Sequence, residues 1–219
     1  MPTKRTEVRR LPKRGSHDRA AIDAILDEGI VAHVGILEGT TPFVMPTGYV
    51  RDGDRLLLHG SSASRLMKTL ATGAEACVTV TLLDGIILAR SAFHHSMNYR
   101  SVVVFGRGKP IAPGGATNEA LRIYMERFIP GRWDVVRQPD KNELAGTLVV
   151  EFPLTEASAK SRVGPPGDDP PDLDFPVWAG VLPLSYAPFA PTQDPIQKPM
   201  PVPSHAKNWR PDRRGKRTP

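Results

Sequence analysis

The sequence predicts a mainly β protein with a few helices, arranged as an antiparallel barrel or sandwich. Short runs rich in Val, Ile, Leu and Thr recur along the chain, which is typical of strands. Neighbouring runs meet at the dipeptides Glu38-Gly39, Asp52-Gly53 and Asp84-Gly85, which favour tight hairpin turns. Strands this closely spaced disfavour a parallel sheet with crossover helices. A chain of 219 residues with 40% hydrophobic content can bury one sizeable core.

The first predicted element is a short helix. Ser16 is its candidate cap, apolar residues between Ala21 and Leu26 share one face, and Gly29 ends it. Strand runs and two further helices follow along the chain. A proline-rich acidic loop and the apolar run VWAGVLPL then come before the C-terminal tail. Strands are predicted at 30–37, 43–50, 55–59, 76–83, 86–91, 101–111 and 147–154, and helices at about 65–71 and 118–128.

Positive charge is concentrated at the two ends of the chain. The formal net charge is +6, with +5 in residues 1–14 and +6 in residues 196–219, so the body between them carries −5. A nucleic-acid-binding domain is expected to carry its basic surface on the fold itself, so no specific nucleic acid partner is predicted. We predict a basic disordered tail over residues 1–15, a folded domain over 16–190 and a Pro/Arg-rich tail over 191–219.

The cellular compartment is predicted from what the sequence lacks. No apolar run approaches the length of about 20 residues that spans a bilayer, and the basic N-terminus has no apolar segment behind it. Cys77 is the one cysteine, and its place in the apolar run ACVTV indicates a packed thiol. These features predict a cytoplasmic protein without a membrane partner.

The stretch from Leu56 to Leu70, LLLHGSSASRLMKTL, reads as a strand, a turn of small residues and the start of a helix. The small side chains of residues 60–64 allow backbone N–H groups, hydroxyls and Arg65 to approach one anion, and such a corner suits a phosphate. The alternative is an ordinary helix capped by serine after a strand.

A second strand run, NYRSVVVFGRG, places Arg100 and Ser101 at its start. Together with the small-residue corner, the order of elements resembles the flavin-binding split barrels of the pyridoxamine 5'-phosphate oxidase-like superfamily. The resemblance is closer to the flavin-nucleotide-binding and nitroimidazole-resistance-like branch than to the true oxidases. It covers about residues 16–190, and its best-matching pieces are LLLHGSSASRLMKTLATGAEACVTV, SAFHHSMNYRSVVVFGRG, AKSRVGPP and VWAGVLPL.

The resemblance implies a six-stranded antiparallel split β-barrel that pairs into a homodimer, with FMN in the groove between subunits. Carried over by position, the cofactor-binding residues fall on the phosphate corner, on the strand under the isoalloxazine with Gly48 beside it, and on flanking positions. They are Ser61, Ser64, Arg65 and Lys68 for the phosphate; Met45, Pro46 and Thr47 for the ring; and His59, Arg100, Ser101 and Trp178 around it.

The chain departs from the true oxidases at two points. Leu66 stands where those enzymes commonly have a Lys after the phosphate-binding Arg, and no Arg-x-His pair occurs near the C-terminus. Synthesis of pyridoxal phosphate is therefore not implied, whereas flavin binding is. Because FMN itself carries the electrons, no catalytic side chain is assigned.

Other candidate sites receive weaker support from the sequence. His94-His95 is read as polar residues at a pocket mouth, because adjacent residues on a strand point to opposite faces; no metal site is predicted. The sequence has no G-x-S-x-G motif of a serine hydrolase and no G-x-G-x-x-G dinucleotide motif. Trp178 either stacks on a ligand or is a buried anchor.

The sequence thus predicts an FMN-dependent oxidoreductase that acts on a small or planar substrate stacked on the flavin. The alternatives are a non-catalytic flavin or heme-binding module, serving as a carrier or sensor, and a deazaflavin-dependent reductase. In the dimer, Trp209 gives the C-terminal tail a second possible role, which is to dock on the partner subunit and cover the flavin.

Overall fold

The strands pair into one antiparallel sheet in the computed structural model, which describes residues 3–211. The strands are β1 Gly15–Ser16, β2 Val31–Glu38, β3 Thr41–Asp52, β4 Arg55–Ser61, β5 Glu75–Leu88, β6 Ser96–Arg107, β7 Lys109–Pro110, β8 Thr147–Pro153, β9 Glu156–Arg162 and β10 Gly180–Pro183. They pair in the order β1-β9-β6-β5-β2-β3-β4-β8-β7, with β10 on β5. Within residues 3–211 the two ends of this path do not pair, so the barrel is not closed. The split-barrel class is confirmed, with ten strands in place of six.

Five α-helices accompany the sheet in the described part of the chain. The sequence predicted Ser16 as the cap of the first helix, and this is wrong. The Asp18 carboxylate caps that helix by accepting the Ala21 N–H at 2.9 Å, and Ser16 belongs to β1. Gly29 ends this helix as predicted. The helices are α1 Arg19–Glu28, α2 Arg65–Ala71, α3 Gly115–Phe128, α4 Lys141–Ala145 and α5 Ser204–Lys207.

Strand β3 joins the two halves of the split barrel. Its residues 41–48 pair with β2, and its residues 49–52 pair with β4. The turns at both ends are the predicted hairpins, with Gly39 at φ 59° and Gly53 at φ 58°, a conformation that glycine adopts without steric cost. Strand β3 therefore runs from one half of the barrel into the other, with a tight turn at each of its ends.

The dipeptide Asp84-Gly85 is not a hairpin, which corrects the sequence prediction. Strand β5 continues through it as a bulge, and β6 pairs with β5 on both sides. Strand β10 lies directly on this position, since a Cβ on Gly85 would sit 3.0 Å from the Leu182 carbonyl oxygen. Gly85 is therefore needed because its missing side chain lets the backbone of β10 come close, and not because the chain turns there. Sequence reasoning also missed β9 and began β6 five residues late, at Ser101.

The core fills the space between the two halves of the sheet and beneath α1 and α2. Tyr49 lies in it fully buried, and its hydroxyl donates to the Leu26 carbonyl oxygen at 2.7 Å, which ties β3 to α1. Other large buried members of this cluster are Val34, Leu56, Leu58, Met67, Leu70, Val78, Val104 and Phe152. No helix among the described residues is long and apolar enough to cross a membrane.

The described parts of the two predicted tails contact the domain. Arg5 pairs with Glu75 at 2.5 Å and with Glu156, and Thr6 is buried. At the other end, the Trp209 indole N–H donates to the Phe128 carbonyl oxygen of the same chain at 2.8 Å. The prediction of disorder at 1–2 and 212–219 lies outside the described residues.

We expect Gly29→Ala to destabilise the fold. A Cβ at this position would lie 2.4 Å from Val80 Cγ1 and 2.6 Å from the Tyr49 hydroxyl, and overpacking of this kind costs about 1–3 kcal/mol. Chemical denaturation measures the change. Gly167→Ala is the matched control, because nothing lies within 4 Å of its Cβ position; equal stability of the two variants would contradict the packing argument.

Candidate functional site

The corner between β4 and α2 is built from four small residues. Two backbone hydrogen bonds fix the conformation of the corner. The Ser64 N–H donates to the Ser61 carbonyl oxygen at 2.9 Å, and the Ser62 N–H donates to the Gly146 carbonyl oxygen at 2.8 Å. Ser64 is the N-cap of α2, but its side chain makes no capping hydrogen bond. The Ser64 side chain therefore does not cap the helix in the way that the ordinary alternative requires.

Arg65 brings this corner next to β3. Its guanidinium carbon lies 4.3 Å from the centroid of the Phe43 ring, and its Nε is 3.3 Å from a Glu38 carboxylate oxygen. Half of the Arg65 side chain stays exposed, so the guanidinium can still reach an anion. Lys68, one helical turn further on, is also exposed. The contact with Phe43 joins the predicted phosphate corner to the predicted isoalloxazine strand.

His59, near the end of β4, is half-buried, and its enclosed Nδ1 has no hydrogen-bond partner among the described residues. Its ring meets that of Tyr124 edge-on, with centroids 4.3 Å apart. The Tyr124 hydroxyl in turn sits over β3, because a Cβ on Gly48 would lie 2.6 Å from it. Burial lowers the pKa of His59, so at neutral pH its ring is uncharged.

The predicted ring-binding stretch of β3 alternates between two faces. Met45 pairs with Val34 and packs against the core, whereas Pro46 pairs with His33 on the opposite, exposed face. Thr47 follows on the core side and is half-buried. Alternation of this kind is intrinsic to an extended strand, so these residues line two surfaces, not one.

Arg100 and Ser101 lie apart from the corner in this chain. Strand β6, which carries them, is three positions from β3 in the sheet, or about 14 Å at the usual strand spacing. The hydrogen bonds that the Arg100 guanidinium donates to Glu28 and then to Asp84 raise its pKa, with contacts of 2.6 and 2.7 Å. The Ser101 hydroxyl donates to the Lys160 carbonyl oxygen at 3.1 Å. Within one chain both side chains therefore hold the fold together.

Trp178 is 67% exposed and lies on Gly180 at the start of β10. A Cβ on this glycine would come within 2.7 Å of the indole. The tryptophan is therefore not a buried anchor within one chain. It also stands away from the corner, because β10 pairs only with the far end of β5 among the described strands.

His94 and His95 do not lie on a strand, contrary to the sequence interpretation. They close a short 3-10 helix, Ala92–His94, just before β6. His94 Nε2 is 3.2 Å from an Asp169 carboxylate oxygen, and His95 Nδ1 is 2.9 Å from the Ser91 carbonyl oxygen. Within residues 3–211, no group of three or more His, Cys, Asp or Glu side chains could hold a metal ion.

Asp168 organises the same loop, and sequence reasoning missed it. Burial raises its pKa, but hydrogen bonds from the Arg90 N–H, the Arg90 guanidinium and the Ser91 N–H lower it by more. The carboxylate is almost fully enclosed, at 1% exposure. The only sequence signal was the acidic pair in a proline-rich loop, which does not identify a partner 78 residues away. Tyr124 was missed because nothing in its helix links it to His59.

We expect the buried His59 to make the fold sensitive to acid. Its pKa is lowered from 6.5, so the unfolded chain binds the proton more readily, and the stability tied to neutral His59 is lost as the pH falls below that value. Melting temperatures from pH 8 to 5 should fall more steeply for the wild type than for His59→Gln. Parallel profiles for wild type and His59→Gln would contradict the assignment.

Two solved structures are more than 30% identical to this chain. The flavocytochrome Anf3 from Azotobacter vinelandii is 41% identical over 95% of this chain and 98% of its own, with a TM-score of 0.90. The FAD and heme binding protein from Mycobacterium smegmatis is 37% identical over 88% of this chain and 95% of its own, with a TM-score of 0.84. No curated protein matches this chain.

The fold extends to a more distant protein. A protein from Bacteroides thetaiotaomicron, described as a 5-nitroimidazole antibiotic resistance protein, shares the fold at 22% identity over 67% of this chain and 85% of its own, with a TM-score of 0.55. The sequence profile of the pyridoxamine 5'-phosphate oxidase family matches residues 18–161. As the sequence resemblance predicted, the chain belongs to the pyridoxamine 5'-phosphate oxidase family and has its split-barrel fold.

Proposed function

We propose that this protein binds a flavin nucleotide at the corner between β4 and α2 and acts as an oxidoreductase on a small or planar substrate. The observation that carries the proposal is the corner itself. It joins Ser64, whose side chain makes no capping hydrogen bond, and a half-exposed Arg65 to His59, whose buried Nδ1 has no partner within residues 3–211. Two structures with 41% and 37% identity, described as a flavocytochrome and as an FAD and heme binding protein, support it.

The residues present fit such a group. Arg65 and the hydroxyls of Ser61 and Ser64 would hold the phosphate, since charge-assisted hydrogen bonds favour an anion at this corner. Neutral His59 offers a hydrogen-bonding nitrogen at the inner end of the corner. A bound flavin supplies the electron transfer, and the protein need only bind, orient and tune it. No side-chain nucleophile or acid is assigned a role.

The identity of the nucleotide is the finer part of the proposal. The sequence resemblance predicts FMN, whereas the M. smegmatis protein is described as binding FAD. Both nucleotides share the phosphate that the corner suits. Because the similarity to the M. smegmatis protein covers 88% of this chain, we favour FAD, with FMN as the prediction of the sequence.

Heme is the second cofactor that we propose. Both similar proteins are described as a flavocytochrome or as heme binding. The observation that favours heme in this chain is the loop before β6, where two histidines stand beside Phe93, which is 89% exposed. Exposed aromatic and aliphatic side chains next to a histidine suit a large planar apolar group.

A homodimer is proposed from the outer face of the sheet around β2 and β3. Val31, Leu37 and Val44 stand on it with 45%, 59% and 67% exposure. The register places Val44 opposite Gly35 and Gly35 opposite Cys77, so this face is flat and largely uncharged. Apolar patches of this kind on a folded surface indicate a partner, and a second copy of this chain is the partner that the sequence resemblance implies.

The cofactor proposal is tested by the absorbance spectrum of the purified protein and by chromatography of the released nucleotide. Arg65→Ala should weaken flavin binding by about 1.5–3 kcal/mol, because it removes a charge-assisted hydrogen bond to phosphate. Glu38→Gln is the matched control: it removes a carboxylate that competes for Arg65, so its affinity should be unchanged or higher. Unchanged affinity in Arg65→Ala would refute the phosphate assignment.

The dimer is tested by light scattering. Val44→Glu should shift the protein to a monomer and lower its flavin occupancy, since a buried charge without a partner opposes association. Val135→Glu places the same charge on a side chain of similar exposure, 64% against 67%, but away from this face, and should stay dimeric. A monomeric wild type that binds flavin stoichiometrically would overturn the interfacial site.

A further inference from the structure

We propose that Trp209 is a positioning residue for the corner between β4 and α2: it caps the C-terminal end of α3 and so holds Tyr124 against His59. Four rings carry this effect from the C-terminal segment to the end of β4, and we call them the aromatic row. They are Trp209, Phe128, Tyr124 and His59. The effect of the row on a ligand rests on the flavin binding proposed above, whereas its contacts belong to the fold.

The last turn of α3 takes a hydrogen-bond donor from outside the helix. Phe128 is the last residue of α3, and the final carbonyl groups of a helix lack partners within it. The Trp209 indole N–H donates to the Phe128 carbonyl oxygen at 2.8 Å. An indole N–H can only donate, so it suits a carbonyl oxygen that needs a donor. Trp209 therefore caps α3 from a position 81 residues further along the chain.

The same indole begins a series of ring contacts. Its centroid is 6.4 Å from that of the Phe128 ring. The Phe128 ring is stacked on that of Tyr124, with centroids 6.1 Å apart and an angle of 29° between the planes. These two residues are four apart in α3, which places them on one face of the helix. Tyr124 then meets His59 edge-on at 4.3 Å, so the row is continuous, and aromatic pairs at such separations attract one another.

The C-terminal half of α3 depends on such contacts because it has little core packing. The buried residues of this helix are Thr117 and Ala120, both in its first half. None of the residues 121–128 is buried. On one side, the Tyr124 hydroxyl lies over β3, where a Cβ on Gly48 would be 2.6 Å away. On the other side lies the C-terminal segment, so the position of this half of the helix is sensitive to what that segment contributes.

Trp209 is attached to the domain through a long exposed segment. Every residue from 182 to 204 is exposed, and Phe189 reaches 95% exposure. The segment returns to the domain at α5, where Arg132 Nη1 lies 3.4 Å from His205 Nε2. Because a guanidinium can only donate, the histidine nitrogen accepts here. Trp209 belongs to neither the sheet nor the core cluster, so its substitution leaves both in place.

Removal of the cap should uncover His59. Burial lowers the pKa of His59, and the Tyr124 ring lies against its imidazole. When Tyr124 moves away with the end of α3, water reaches the imidazole, and the pKa of His59 rises towards 6.5. The ring nitrogen that the proposed function assigns to the flavin then also loses its fixed orientation. Trp209 thus acts on the corner only through the residues between them.

The first test is an NMR titration of the His59 imidazole in the full-length protein, with the resonance assigned by its loss in His59→Gln. Trp209→Ala should raise the pKa of His59, because Tyr124 no longer shields the ring. Trp209→Phe keeps an aromatic ring but lacks the N–H, so it should give a smaller rise. Phe189→Ala is the matched control, since it removes an exposed aromatic side chain of the same segment; it should titrate as the wild type does.

The second test is a double-mutant cycle on flavin affinity. Trp209→Ala should weaken flavin binding about two- to tenfold, which corresponds to the loss of one neutral hydrogen bond. In a Tyr124→Ala background the same substitution should have almost no further effect, because the ring that transmits it is gone. Residues within one contact network show such coupling, whereas independent sites give effects that multiply. Melting temperatures confirm that each variant is folded.

The two tests separate this proposal from the proposed function. An unchanged pKa of His59 in Trp209→Ala would overturn the positioning role, whatever the flavin affinity, and so would multiplied effects in the cycle. A wild type that binds no flavin would refute the proposed function, while the NMR titration would still decide whether Trp209 positions Tyr124. If Trp209→Ala does not fold, Trp209→Phe decides the question, and a wild-type pKa of His59 in that variant would refute the cap.

Discussion

The pairing of β3 with two different partners is the constraint on which the rest of the structure depends. One continuous backbone pairs with β2 as far as Gly48 and with β4 from Tyr49 onward. The two halves of the barrel therefore cannot shift independently, and the corner at the end of β4 is fixed relative to the β2–β3 hairpin. The stacking of Arg65 on Phe43 and the docking of Tyr124 on Gly48 both follow from that continuity.

Arg100 and Arg65 differ in how many of their N–H donors already bond to carboxylates within the fold. Arg100 donates four hydrogen bonds to Glu28 and Asp84, so most of the five N–H groups of its guanidinium are used. Arg65 has one looser carboxylate contact at 3.3 Å and remains half exposed. Two arginines that look alike in the sequence thus differ in their contacts, because the first meets two carboxylates brought by other elements and the second meets one on a hairpin tip.

Two apolar surfaces remain on the outside of the chain, and they lie on different parts of the sheet. One surrounds β2 and β3 and includes Val44; the other surrounds β10 and includes Leu182. Exposure of this extent is uncommon for a chain that functions alone. The proposed dimer would cover the surface around β2 and β3.

The sequence by itself determined the features that depend on neighbouring residues. The strand runs, the glycine turns at Gly39 and Gly53 and the small-residue corner all follow from local conformational preference. Tertiary structure alone decided where distant segments meet. Asp84-Gly85, on which β10 lies, forms a bulge and not a hairpin. The Asp168 carboxylate accepts the Arg90 and Ser91 amides, which are far away in the chain, and α3 brings Tyr124 to His59. Such contacts depend on long-range pairing and packing, which leave no periodic or local signal in a single sequence.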